Sequence, residues 1–141
     1  MLGVVGRTSG RVRLRVGRHA GESELIPAVR AAARPGATVS TDEWPGYARL
    51  SWDGYGHATV NHGRCEWARD DDGDGVREVH CNTMEGIWTG LRNFLRPFRG
   101  VNKAYLGQYV AIFEWAHNEK RATARFLRAL LDPRRRTILR T

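Results

Sequence analysis

The sequence predicts an α/β domain in which a mixed sheet of short strands is followed by C-terminal helices. Three features carry that prediction: a period-two alternation near the N-terminus, a helical pattern between two strand-like runs, and continuous helical periodicity after residue 82. With 141 residues and 41% hydrophobic content, the chain has material for one core rather than two.

Leu2 to Val5 is a short apolar run, Ser9-Gly10 is a turn signal, and Arg11-Val12-Arg13-Leu14-Arg15-Val16 alternates, so these segments predict a hairpin with one buried face. The three alternating arginines then form the outer face of the second strand, either solvated or as a stripe toward nucleic acid. Ser23 is placed to cap a helix carrying Leu25, Ile26, Val29 and Ala33 at helical spacing, closed by Pro35-Gly36. Ala37 to Ser40 reads as the next strand, joined by the helical crossover in parallel to Val12–Val16. Asp42 follows at its carboxyl end, where open α/β sheets collect ligand-binding groups; a turn or cap role before Pro45 and a Gly46–Leu50 helical turn is the alternative.

The segment from Ser51 to Val79 is polar and loop-like, with one strand expected at His57–Val60. Its run Asp70-Asp71-Asp72-Gly73-Asp74-Gly75 resembles a calcium loop, but the position needing a bidentate Glu is Cys81, which predicts a solvated surface turn instead. His57, His62, Cys65, His80 and Cys81 have metal-ligating side chains, yet only His62-x-x-Cys65 has a paired spacing, which argues against a structural zinc site.

Beyond this point the chain reads as helical. Met84, Ile87, Trp88, Leu91, Leu95 and Phe98 recur at three and four residues until Pro97 and Gly100 end the pattern. A second helix covers Lys103 to Glu119 with Tyr105, Tyr109, Ile112, Phe113 and Ala116 on its apolar face, and a third covers Ala122 to Leu131. The domain is expected over 1–131, followed by a basic, disordered tail over 132–141.

Charge is unevenly distributed. Residues 1–85 hold 11 Lys+Arg and 12 Asp+Glu, whereas residues 86–141 hold 12 Lys+Arg and only Glu114, Glu119 and Asp132. A near-neutral body with a basic C-terminal third points to a polyanion partner, nucleic acid first. Two cysteines fit free thiols in a reducing compartment. No apolar run approaches the roughly 18 residues of a membrane span, and Met1–Val5 lacks a basic leader region, so a cytoplasmic, nucleoid-associated protein is expected.

Asn82, Glu85, Trp88 and Arg92 are spaced by three, four and seven residues, so they share one side of a helix. Locally, Asn82 and Glu85 read as a capping box. With Asp42, which is 43 positions before Glu85, they also suit a polynucleotidyl-transfer site, where carboxylates converge on two divalent cations and Arg92 holds a phosphate.

Four stretches carry a resemblance. These are Pro35-Gly36-Ala37-Thr38-Val39-Ser40-Thr41-Asp42-Glu43-Trp44-Pro45-Gly46-Tyr47, His57-Ala58-Thr59-Val60-Asn61-His62, Val79-His80-Cys81-Asn82-Thr83-Met84-Glu85-Gly86-Ile87-Trp88, and Tyr105-Leu106-Gly107-Gln108-Tyr109 with the Phe113…Asn118 segment. In this order and spacing the chain resembles the DDE transposases of bacterial insertion sequences, the ISXO-like group. The resemblance implies an RNase H-like fold, incomplete here because its first strand is missing, and Mg2+ (or Mn2+) in a two-metal site that cuts and joins DNA.

By position, the resemblance makes Asp42 the second acid and Glu85 the third, with Asn82 the alternative third residue. It places His57, His62 and His80 along the site, and Arg92, Arg96, Arg99 and Lys103 on DNA. The implied partners are transposon ends and target DNA, a second copy of the chain, or an intact transposase. The chain departs from the family in having no Asp or Glu before Glu22, so the first acid is missing, and in carrying Ala116 where relatives often have Arg. It also lacks a module for recognising element ends. These departures imply an N-terminally truncated enzyme with weak metal binding, or a catalytically inactive DNA-binding remnant or inhibitor of intact transposase.

Overall fold

The computed structural model describes residues 1–119 and 124–131. Six short strands and four helices follow one another as β1 (Leu2–Val5), β2 (Val12–Arg15), α1 (Glu22–Ala32), β3 (Thr38–Thr41), β4 (Gly56–Thr59), β5 (Ala68–Arg69), β6 (Val79–His80), α2 (Asn82–Leu95), α3 (Lys103–Asn118) and α4 (Ala124–Leu131). The result is a mixed α/β architecture of small sheets with C-terminal helices, as the periodicities predict. The expected tail over 132–141 lies outside the described residues.

The hairpin forms as expected: β1 and β2 are antiparallel with Val4 opposite Arg13 and Val5 opposite Val12. Gly10, at φ 62°, supplies the left-handed residue the turn requires. Helix α1 begins two residues earlier than a cap at Ser23 would place it. Gly21 is its N-cap without a side-chain bond, while Glu24 folds back to accept from the Arg18 amide at 3.1 Å, a competing use of the first turn's acid. Leu25, Ile26 and Val29 are buried as their spacing requires.

The expected parallel pairing of Val12–Val16 with the third strand does not occur: β3 pairs in parallel with β4, Thr41 opposite Thr59. The reason lies on β2's outer edge, which α3 occupies with side chains. Val12 N–H donates to Asn118 Oδ1 at 2.8 Å, Asn118 Nδ2 donates to Val12 C=O at 2.9 Å, and Leu14 N–H donates to Glu114 Oε2 at 2.7 Å. One amide and one carboxylate thus stand in for a neighbouring strand.

That use of Glu114 and Asn118 also corrects the predicted face of α3. Val110 is its buried residue, whereas Tyr105 and Ile112 are exposed, because the inward side must carry the two polar groups that serve β2. Phe113 still faces α2, 5.7 Å from Phe94 between ring centroids, and Tyr109 meets Phe98 at 4.8 Å.

Ile26, Val29, Leu50 and Tyr55 form the core, and Val4 of β1 and Val39 of β3 both pack against it. The two half-sheets therefore lie over the same helix without pairing to each other. Antiparallel alternation, fixed by the Gly6 N–H to Arg11 C=O bond, turns the peptide groups of Gly3 and Val5 away from β2. Parallel alternation, fixed by Gly56 N–H to Ala37 C=O and Val60 N–H to Thr41 C=O, turns those of Thr38 and Ser40 away from β4. No backbone partner serves these four among the described residues. Arg7 reaches from the end of β1 to Ser40 Oγ at 3.2 Å and to the carbonyls of Glu78 and His80, tying the hairpin to β3 and β6.

Candidate metal and nucleic-acid site

Thr41, the last residue of β3, is buried, and its hydroxyl donates to the Asp42 carbonyl at 2.7 Å while standing 2.9 Å from His57 Nε2. With that hydroxyl proton committed, His57 donates from Nε2, and burial holds its basicity below the ordinary value. Asp42 leaves the strand here. One of its oxygens accepts the Trp44 amide at 3.2 Å, so the turn role and the site role coexist, and Trp44 Nε1 anchors the loop on the Ala20 carbonyl at 2.6 Å.

Glu85 comes from the first turn of α2. The expected capping box is absent: Cys81, not Asn82, is the N-cap, no side chain caps the helix, and the amides of Met84 and Glu85 bond the Cys81 carbonyl instead. Asn82 is therefore the first helical residue, exposed, one turn before Glu85. Freed from capping, Glu85 is available to the space beside His62, whose Nε2 lies 3.9 Å from Glu85 Oε1.

Asp42 and Glu85 both bear electrostatically on Cys81. Its half-buried thiol is pushed up to about 11, by burial first and then by the negative charges of Asp42 and Glu85, with Glu43 adding to the effect. Tyr47 is likewise raised, by burial and then by Asp42 and Cys81. Carboxylates from a strand end and from a helix thus act on the same thiol. Glu43 has another duty: its two oxygens accept the His62 and Gly63 amides, each at 3.0 Å, and the bond from its own backbone amide, then these two, hold its pKa below the ordinary carboxylate value.

Two imidazole nitrogens are buried with no hydrogen-bond partner, His62 Nε2 and His80 Nδ1. A divalent cation fits such a setting, because carboxylate oxygens supply charge and a hidden imidazole nitrogen supplies a lone pair. Asp42 and Glu85 are the carboxylates that would hold it. Among the described residues, the only preassembled group of three ligand atoms lies elsewhere, at Asp70, Asp72 and Glu78. There Asp70 already accepts from Gly73 and Gly75, and these bonds hold its pKa below the ordinary carboxylate value, as a self-satisfied surface turn requires.

Arg92, Arg96, Arg99 and Lys103 are all exposed, running from the last turns of α2 through the corner into α3. Arg92 donates to Thr89 Oγ1 at 3.2 Å. A hollow of about 530 Å³ lies between β2 and α3, lined by Arg11, Arg13, Arg15, Glu114 and Trp115, away from these groups; Glu114 pairs there with Arg13 at 3.0 Å. Tyr47 and Glu43 were not singled out from sequence, and Cys81 was weighed there only as a metal ligand. Tyr47 and Glu43 sit in the same Asp42–Tyr47 stretch, which is the signal that could have found them.

No helix among the described residues is long and apolar enough to cross a membrane. The family model described as ISXO2-like transposase domain matches residues 1–118. A curated relative from Haemophilus influenzae, described as an uncharacterized transposase-like protein, is 24% identical over 94 residues, covering 67% of this chain and 70% of the relative. No solved structure matches.

Proposed function

Because the chain belongs to the ISXO2-like transposase domain family, we propose that it handles DNA strands in transposition through a divalent-cation site built on Asp42 and Glu85. Placement supports this reading: Asp42 directly follows β3, and Glu85 stands in the first turn of α2, 3.9 Å from the buried, unpartnered Nε2 of His62. Mg2+ or Mn2+ bound there would activate an attacking hydroxyl and steady the leaving oxygen of a phosphodiester. Asp42 and Glu85 supply the charge that holds the ion, Asn82 stands one turn from Glu85 as the alternative third residue, and Arg92, Arg96, Arg99 and Lys103 give phosphates an exposed basic track. The basic C-terminal third sets the sign of the partner as DNA.

The fold we infer for this function is RNase H-like. Two half-sheets side by side over α1, with unpaired edges at Gly3/Val5 and Thr38/Ser40, support that reading, since one further strand would join them into a single mixed sheet. The residues in hand contribute two carboxylates to the proposed site, Asp42 and Glu85, there being no Asp or Glu before Glu22.

The test is Mn2+ binding and duplex-DNA cleavage by the purified chain. Saturable Mn2+ binding that is lost in Asp42→Ala and Glu85→Ala is expected; binding indifferent to both substitutions overturns the site. Divalent-dependent strand cleavage abolished by Asp42→Ala identifies an active enzyme. DNA retention without cleavage identifies the DNA-binding remnant, which the count of two carboxylates favours as the second reading.

A further inference from the structure

The carboxylate of Glu43 is fully spent on the loop that follows β4. By accepting the amides of His62 and Gly63 at 3.0 Å each, it pins a tight turn whose first residue is His62, and Asn61 Oδ1 closes the turn by accepting Arg64 N–H at 3.0 Å. The His62 ring is then backed by Trp67, with ring centroids 5.1 Å apart and planes inclined by 33°. The backbone of His62 is thus held by Glu43 and its ring lies against Trp67. Its Nε2 is buried, has no hydrogen-bond partner, and lies 3.9 Å from Glu85 Oε1.

This separation is too long for a hydrogen bond. It is close to the spacing of two ligands on one ion, which at metal–ligand distances of about 2.0–2.2 Å come to roughly 3–3.5 Å. Glu85 can close the difference. Its side chain is about half exposed (53%) and has no other partner among the described residues. A buried imidazole nitrogen left without a partner costs free energy unless something fills the gap, and solvent does not reach it.

We propose that His62 Nε2 is a nitrogen ligand of the same divalent ion that Asp42 and Glu85 hold, with Glu43 as the residue that positions it. The inference rests on the Asp42–Glu85 reading above and adds an imidazole to a site otherwise made of oxygens. The addition has a chemical consequence. Nitrogen ligation favours later, softer divalent ions over Mg2+, so the site takes Mn2+ in preference to Mg2+.

The test uses the whole chain loaded with Mn2+ and read by pulsed electron paramagnetic resonance, where a directly bound imidazole gives a nitrogen coupling on the manganese signal. Wild type is expected to show that coupling, and His62→Gln to lose it while keeping the wild-type thermal transition. In His62→Gln, Mn2+ affinity should fall by at least the roughly 10–100-fold that loss of a mere outer-shell partner costs, with Mg2+ affinity changing less, so the preference between the two ions narrows. Mn2+ bound in a Glu85-dependent way without nitrogen coupling overturns the ligand assignment and leaves the carboxylate site standing. Coupling that persists in His62→Gln overturns it as well. Mn2+ binding untouched by Asp42→Ala and Glu85→Ala overturns the underlying site.

Discussion

Replacing Asn118 by Ala removes the two hydrogen bonds that substitute for a strand on the outer edge of β2. The magnitude follows from burial. Val12 is completely buried, so its N–H, now bonded at 2.8 Å, and its C=O, bonded at 2.9 Å, both lose their partner where water does not reach. An unsatisfied buried polar group costs about 1–3 kcal/mol. Partial opening of the edge relieves some of that, which places Asn118→Ala about 2–4 kcal/mol below wild type. For a chain of this length, about 3 °C per kcal/mol turns that into a fall in Tm of about 6–12 °C. Urea denaturation followed by circular dichroism gives the free energy directly, with the same m-value expected for both proteins. Arg13→Ala serves as the comparison: its ion pair with Glu114 at 3.0 Å has an arginine side chain that is 69% exposed, so it contributes within about 0.5 kcal/mol. An Asn118→Ala protein as stable as Arg13→Ala would refute the idea that α3 completes the sheet.

Three other outcomes follow from the same geometry. Gly3→Ala puts a Cβ 2.8 Å from the Trp88 ring, so it should cost about 1–3 kcal/mol in the same denaturation assay and shift α2, reported by Trp88 fluorescence. Burial holds His57 below its ordinary value of 6.5, so the unfolded chain binds more protons below that pH; stability is full above 6.5 and is lost as pH falls through the folded value, at no more than about 1.4 kcal/mol per pH unit. Denaturation curves across this range should flatten in His57→Gln. Changing Arg96, Arg99 and Lys103 together to Gln should reduce the slope of log affinity against log salt for duplex DNA by roughly two to three, measured by fluorescence anisotropy, without lowering Tm.

The hairpin was legible because Val12 and Leu14 alternate with arginines, and α1 because Leu25, Ile26 and Val29 repeat at helical spacing. Asp42 was legible for the same kind of reason: it directly follows a strand-like run, and the strand is there. Elements two residues long have no period to read, which is why β5 and β6 were missed. The face of α3 was misread because hydrophobicity assigns Glu114 and Asn118 to solvent, whereas the exposed backbone of β2, a hundred residues away, draws them inward. Asn82 looked like a cap since residue type and spacing fit; the backbone of Cys81 took that place without help from a side chain. Glu43 and Tyr47 share the stretch of Asp42, and Cys81 is four residues before Glu85, but that these two segments influence one another depends on packing that no local pattern encodes.

The open seam over α1 also bears on how the molecule behaves in solution. Gly3, Val5, Thr38 and Ser40 present donors and acceptors at every second residue, the repeat an extended peptide needs for docking, and the guanidinium of Arg7, reaching Ser40 Oγ, is the charge set beside them. Long-range repulsion from the formal charge of +8 adds to that protection against polymerisation. Because ions at physiological strength screen such forces beyond about 8 Å, that repulsion weakens as salt is raised.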